Sequence, residues 1–143
     1  IMAGAIINAD TIIGKHCIIN TGSIIEHDCN IANFVHISPN AALAGNVIVG
    51  EGSHIGLGAV VIQGVKIGKW VTIGAGAVIN GSVIFADVEV GSGTQITNSI
   101  VSTAAKISSD CQIVDTVIAE RAVINAGANL EPGTLVFPDE SVN

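Results

Sequence analysis

The sequence predicts an all-β fold, a solenoid of short parallel strands wound into triangular coils, on the basis of three observations. Aliphatic residues recur at every sixth position through the first half of the chain. That period matches neither the 3.6-residue turn of an α-helix nor the two-residue alternation of an ordinary strand. Hydrophobic residues make up 49% of the 143 residues, whereas aromatic residues make up only 3%, which favours many thin core layers over one globular centre.

The repeat begins at Ile1 and continues without interruption to Ile79. Four residues after most of its aliphatic positions stands a small or β-branched residue, for example Cys17, Cys29 or Ala41. Two inward side chains in six residues fit a short strand followed by a turn. Three such units close a coil of 18 residues, which pairs with the next coil about 4.8 Å away. The aliphatic positions are Ile1, Ile7, Ile13, Ile19, Ile25, Ile31, Ile37, Leu43, Val49, Ile55, Val61, Ile67, Ile73 and Ile79.

After residue 79 the spacing changes to steps of five, six and six, so each predicted coil becomes one residue shorter. The short step carries a signature of its own, in "GSVI" at 81–84, "NSIV" at 98–101 and "DTVI" at 115–118. We therefore expect about eight coils, divided into a first part at 1–79 with the longer period and a continuation at 80–143 with the shorter one, which ends in a C-terminal cap.

The composition excludes several classes of function. Twelve acidic residues against five basic ones give a net charge of −7, which argues against nucleic acid as a partner. No apolar run approaches the roughly 18 residues of a membrane span, and no signal-peptide pattern is present. The three cysteines form no CxxC motif, so reduced thiols are expected. These observations predict a cytoplasmic protein without nucleic-acid or membrane partners.

All four histidines lie in the first half of the chain, the last of them being His54. His36 and His54 are separated by one full coil, so they should stack on the same corner of adjacent coils. His27 and His36 are separated by half a coil, so they should lie on roughly opposite sides of one prism. They could serve one site only between prisms packed side by side, as in a trimer. A zinc site between prisms needs three imidazoles, and no third histidine has suitable spacing, so no metal is predicted.

Several motifs in residues 1–79 occur together in one enzyme family. They are "INTG", "EHDC", "FVHISP", "LAGNV", "IGLGAVV" and "IGAGAV". In this combination the segment closely resembles the acetyl-coenzyme A enzymes that include sialic-acid O-acetyltransferase and UDP-N-acetylbacillosamine N-acetyltransferase. The resemblance implies a hexapeptide left-handed β-helix, a hand that breaks the usual right-handed crossover rule. It also implies a homotrimer, acetyl-CoA as cosubstrate, and an amino or hydroxyl group of a sugar or nucleotide sugar as acceptor.

The same resemblance implies roles for five residues. His27 of "EHDC" is the general base and Asp28 supports it, whereas His36 of "FVHIS" contacts the thioester region of acetyl-CoA. Backbone near Leu57 and Ala75 lines the coenzyme groove. The chemistry is consistent with these roles, because an imidazole with a pKa near ambient pH is a suitable base and a neighbouring carboxylate raises its basicity. A backbone N–H or His36 can stabilise the developing oxyanion.

A second hypothesis is a catalytically silent structural β-helix. Residues 80–143 resemble the C-terminal β-helix of sugar-nucleotide pyrophosphorylases, and they contain no histidine and no nucleotide-binding loop. The start "IMAGAI" is already in frame and has no initiator Met, and the small nucleotide-sugar-binding domain usual in the acetyltransferase family has no counterpart here. These features favour a truncated, chimeric or engineered scaffold. The intact "EHDC" and "FVHIS" motifs favour the enzyme.

Overall fold

The computed structural model describes all 143 residues and contains 24 strands of two or three residues and no helix. The strands form three parallel sheets of eight strands each, which are the faces of a triangular prism. No helix is available to cross a membrane. The prediction of an all-β, parallel left-handed β-helix of about eight coils is confirmed.

Every third strand along the chain belongs to the same sheet. Sheet 1 contains β1 (Ile6–Ile7), β4 (Ile24–Ile25), β7 (Ala42–Leu43), β10 (Val60–Val61), β13 (Val78–Asn80), β16 (Gln95–Thr97), β19 (Gln112–Val114) and β22 (Asn129–Leu130). Sheet 2 contains β2 (Ile12–Ile13), β5 (Asn30–Ile31), β8 (Ile48–Val49), β11 (Lys66–Ile67), β14 (Val83–Ile84), β17 (Ile100–Val101), β20 (Val117–Ile118) and β23 (Leu135–Val136). Sheet 3 contains β3 (Ile18–Ile19), β6 (His36–Ile37), β9 (His54–Ile55), β12 (Thr72–Ile73), β15 (Glu89–Val90), β18 (Lys106–Ile107), β21 (Val123–Ile124) and β24 (Ser141–Val142).

The pairing register shows the change of period directly. In the first coils the strands pair at the longer of the two predicted offsets, as Ile25 of β4 does with Leu43 of β7. From the pairing of Ile67 with Ile84 onward the strands pair at the shorter offset, as predicted. The last coil differs from the prediction, because Val117 pairs with Leu135 at the longer offset again. Its turn between sheets 1 and 2 contains two residues once more, so the shortened period is confined to the coils in between.

The short coils all lack a turn residue at the same corner of the prism. We call it corner 1–2 because it joins sheet 1 to sheet 2. In the short coils the strand of sheet 1 runs one residue longer, and a single bend replaces the two-residue turn. The bend residue has a positive φ in each case, namely 55° at Gly81 and 48° at Asn98 and Asp115. Gly, Asn and Asp tolerate this left-handed conformation best.

The core is a column of inward Ile, Val, Leu and Ala side chains that runs the length of the prism. The buried hydroxyls within it are all bonded; for example, Ser53 Oγ donates to the carbonyl oxygen of Gly68 at 2.7 Å. No buried side-chain nitrogen or oxygen lacks a partner. All three cysteines are free thiols at inward positions, with Cys29 and Cys111 buried and Cys17 half-buried. At the C-terminal end, Phe137 is 67% exposed and therefore does not cover the last core layer.

Candidate active site

His27 and Asp28 form the two-residue turn at corner 1–2 between β4 and β5. Asp28 has a φ of 60°, a left-handed conformation that aspartate adopts more readily than most residues. The turn brings Oδ2 of Asp28 to 2.8 Å from Nδ1 of His27, and both side chains are 57% exposed. Because a carboxylate only accepts, Nδ1–H is the donor, and Nε2 is left free to accept a proton from a substrate.

The electrostatics of the turn favour the charged imidazole. The hydrogen bond to Asp28 is the largest influence and raises the pKa of His27 above its usual value. Desolvation opposes it, and the charges of Asp28 and Glu26 each raise the pKa by less. A higher pKa makes the neutral ring a stronger base. The pair can therefore take a proton from a hydroxyl or an amine and stabilise the imidazolium that results.

Gly45 in the following coil makes room for the imidazole. A Cβ on Gly45 would lie 2.7 Å from Cε1 and from Nε2 of His27. The turn itself does not demand glycine, because Gln63 occupies the corresponding position one coil later. Glycine is thus required here by the ring that lies over it. The sequence carried a signal for this in the "LAG" motif, since the register places residue 45 next to residue 27.

His36 and His54 stack as predicted, with ring centroids 4.8 Å apart and an interplanar angle of 13°. Their predicted placement on a corner is wrong. They are the first residues of β6 and β9, and they face outward from sheet 3 because the next residue of each strand points into the core. The rings stack because the two residues pair directly in the ladder. Nε2 of His36 lies 3.2 Å from Nδ2 of Asn20, and Nε2 of His54 lies 2.7 Å from Oγ of Ser38. Burial, and next the charge of His36, lowers the pKa of His54.

Leu57 and Ala75 lie at corner 3–1, which joins sheet 3 to sheet 1, on adjacent coils. Each precedes a glycine with positive φ, and the N–H of Gly76 donates to the carbonyl oxygen of Leu57 at 2.9 Å. The structure thus brings together His27 with Asp28, His36 with His54, and Leu57 with Ala75. These three pairs occupy corner 1–2, sheet 3 and corner 3–1, so one prism does not unite them in a single site. No group of three or more His, Cys, Asp or Glu side chains is arranged to hold a metal ion.

We predict that Asp28→Asn lowers the pKa of His27, because the amide keeps the left-handed turn but removes the charge that stabilises the imidazolium. An NMR pH titration of the His27 Cε1 proton measures the change. In the wild-type protein this proton should titrate at a higher pH than that of His54, whose pKa is lowered by burial. The midpoint of His54 should be unaffected by the substitution. An unchanged midpoint for His27 would show that Asp28 does not hold the ring in solution.

The same coiled fold recurs in solved structures of bacterial proteins. One is a protein of Bacillus cereus that has been proposed to be an acetyltransferase. It is 21% identical to this chain, with a TM-score of 0.77, and the match covers 97% of this chain and 78% of its own. A hexapeptide transferase family protein of Anaplasma phagocytophilum is 23% identical, with a TM-score of 0.73 over 76% of this chain and 69% of its own. The UDP-N-acetylglucosamine acyltransferase of Francisella novicida is 16% identical, with a TM-score of 0.67 over 95% of this chain and 62% of its own. At these identities the likeness establishes the shared fold.

A family model covers most of the chain. The model described as the GMPPB C-terminal domain matches residues 43–143. The match includes the last long coils before residue 79 and all the short coils after it. It begins beyond His27, Asp28 and His36, which therefore lie outside the matched stretch. Since the match spans well over half of the sequence, the chain belongs to the GMPPB C-terminal domain family.

Proposed function

We propose that the protein is an acetyl-CoA-dependent acetyltransferase core that modifies an amino or hydroxyl group of a sugar or nucleotide sugar. The observation that carries the proposal is the His27–Asp28 pair, with Nδ1 bonded at 2.8 Å and Nε2 free. The names of its structural neighbours, a hexapeptide transferase and a UDP-N-acetylglucosamine acyltransferase, support acyl transfer to a sugar nucleotide. The three free thiols fit a reducing compartment such as the cytoplasm.

The chemistry follows from the orientation of the imidazole. Nε2 of His27 takes the proton of the acceptor hydroxyl or amine while the acceptor oxygen or nitrogen forms a bond to the thioester carbonyl carbon. The imidazolium is stabilised by the Asp28 carboxylate. When the tetrahedral intermediate collapses, the carbon–sulfur bond breaks and the imidazolium returns its proton to the departing thiolate. His27 is neutral again, and the step requires no covalent enzyme intermediate.

At corner 3–1 the protein backbone is open enough for an extended cosubstrate to lie along it. Leu57 is 57% exposed, and the positions of a Cβ on Gly58 and on Gly76 have no heavy atom within 4 Å. The corner therefore offers open backbone along two consecutive coils. This is the place where we propose that acetyl-CoA lies, with Leu57 and Ala75 beside it.

The separation of the pairs within one prism leads us to place the site between subunits. His27 at corner 1–2 must meet His36 and corner 3–1 of a second prism, and a homotrimer satisfies this requirement three times. Exposed isoleucines flank corner 1–2: Ile24 of sheet 1 is 36% exposed and Ile48 of sheet 2 is 40% exposed. Burying these side chains would favour the contact. Residues 80–143 would then add length to the prism without contributing to catalysis.

A silent structural β-helix is the alternative, and one observation favours it. The family to which the chain belongs is matched by residues 43–143, a stretch that lacks His27 and His36. A protein selected for its prism alone would retain this stretch and would have no need of the His27 turn.

Two measurements on the intact chain distinguish these functions. Light scattering should give a mass close to three times 14.4 kDa for an enzyme whose site lies between subunits. Release of the coenzyme thiol from acetyl-CoA, followed with a thiol reagent, should then depend on an added amino sugar or nucleotide sugar. A monomer that releases no thiol with any acceptor would contradict the acetyltransferase proposal and favour the scaffold.

A further inference from the structure

The prism has a cavity that the preceding site does not use. This cavity is an open groove in the surface with a volume of about 440 Å³, and it lies at the edge of sheet 3, beside the corner that joins sheet 2 to sheet 3, which we call corner 2–3. Trp70, Thr72, Asp87, Glu89 and Gly91 border it, and Val90 and Ile107 complete its lining. The volume is within the range of small-molecule sites. His27 lies on a different corner, so the two features are separate.

Trp70 forms one wall of the cavity. It is the only Trp of the chain, it is 58% exposed, and its φ of 55° puts it in the left-handed turn position of corner 2–3. Phe34 occupies the same turn position of corner 2–3 in an earlier coil with a φ of 59°, so this conformation belongs to the corner of the prism. Gly52 in the preceding coil accommodates the indole, because a Cβ there would lie 2.3 Å from Cε3 of Trp70. One face of the indole therefore packs against the backbone of Gly52.

The opposite side of the cavity is acidic. Asp87 occupies corner 2–3 one coil later, and its backbone N–H donates to the carbonyl oxygen of Lys69 at 2.9 Å. The Asp87 carboxylate forms neither an ion pair nor a hydrogen bond within the protein. Glu89 forms one ion pair, with the ammonium of Lys106 at 3.4 Å, and the pair is weak because both side chains are exposed. The indole N–H of Trp70 and the hydroxyl of Thr72 are likewise without protein partners.

We propose that this cavity is a binding site for a small organic cation, an alkylammonium group of the size of a trimethylammonium ion. A tryptophan face is the best aromatic partner for such a cation. Asp87 supplies the countercharge, whereas Glu89 is already paired with Lys106. The same charges, in a chain with a net charge of −7, oppose a phosphate or a carboxylate in the cavity.

The fluorescence of Trp70 provides the test, since no other tryptophan contributes to the signal. The intact protein is titrated with choline chloride, with sodium chloride exchanged to hold the ionic strength constant. A saturable change in emission is expected. The neutral analogue 3,3-dimethylbutanol has the same shape without the charge, and it should bind at least about tenfold more weakly because it loses the cation–π attraction and the countercharge.

Paired variants locate the binding. Asp87→Asn should weaken choline binding about fivefold, as expected for the loss of one partly exposed countercharge. Asp110→Asn is the matched control, because Asp110 occupies another left-handed turn with a φ of 60° and does not border the cavity. It should leave binding unchanged. Trp70→Asn keeps a residue that tolerates the left-handed turn, and NMR shifts of the Thr72 and Gly91 amides should then show binding reduced about tenfold.

Three results would overturn the proposal. The absence of a saturable response up to 100 mM choline would mean that no site exists. Equal binding of 3,3-dimethylbutanol would identify an apolar slot instead of a cation site. Equal weakening by Asp87→Asn and Asp110→Asn would show that only the overall charge of the protein attracts choline. Acetyl transfer through His27 is independent of each of these outcomes.

Discussion

If the proposed function holds, replacing His27 by Ala is expected to lower the rate of acetyl transfer to a sugar acceptor by about 10²–10⁴-fold, because it removes the proposed general base. The loss should appear in kcat, with little change in the KM for acetyl-CoA, since the imidazole acts on the proton that moves in the transition state. Thiol release from acetyl-CoA measures both constants. His16→Ala is the matched control, because His16 is an exposed histidine at another corner of the same prism and stacks on Phe34.

Gly45→Ala tests whether the position of the His27 ring matters for the reaction. The variant retains every group with acid–base chemistry but places a Cβ 2.7 Å from the His27 ring, so the ring must move. A displacement of about 1 Å typically costs about 100-fold in rate. Gln63→Ala, at the corresponding turn position of the next coil, should be neutral. Full activity in both His27→Ala and Gly45→Ala would rule out His27 as the base, even if the protein transfers acetyl groups by another route.

Ile55→Ala is expected to lower the free energy of unfolding by about 2–5 kcal/mol. Ile55 is fully buried in β9 and pairs with Ile37 in the coil before and Ile73 in the coil after. The cavity left by truncation therefore lies between two other core layers. Because each coil of a solenoid is stabilised by its neighbours, loosening the middle layer weakens two interfaces. Urea unfolding followed by circular dichroism measures the loss.

Ile48→Ala is the control for the core substitution. It makes the same truncation in β8, the strand just before β9, but Ile48 faces outward and is 40% exposed. We expect a change of about 0.5 kcal/mol for the isolated prism. An equal loss for both variants in a protein of monomeric mass would contradict the core assignment. If the protein is a trimer, a loss of stability for Ile48→Ala well above this value would indicate that the Ile48 side chain is buried between subunits.

The fold was predictable because its contacts repeat at a constant offset along the chain. Every aliphatic position between Ile19 and Ile79 in the six-residue repeat is buried, and the shift to the shorter coil falls where the sequence signature places it. The return to the longer coil at the end of the prism was missed. It depends on a single extra turn residue before β23, at Pro132–Gly133, which comes after the last of the three signatures and breaks their regular spacing.

The candidate site was predictable only where its contacts are local or one coil apart. The His27–Asp28 hydrogen bond joins adjacent residues, and the stacking of His36 on His54 follows from their separation of one coil. Whether these histidines belong to a corner or to a flat face depends on where each strand begins. Aliphatic spacing does not reveal this, because it reports the inward residue of each strand and is silent on the outward one.

By itself the sequence determined the architecture, the register of most coils, and the contacts between residues that are adjacent or one coil apart. Only the tertiary structure decided that His36 and His54 lie on the flat face of sheet 3, whereas His27 and the turns of Leu57 and Ala75 lie at two different corners of the prism. It also revealed the cavity between Trp70 and Asp87. The physical reason is that a solenoid is nearly one-dimensional, so backbone contacts follow from the period. A concave surface instead depends on how individual side chains fill the corners.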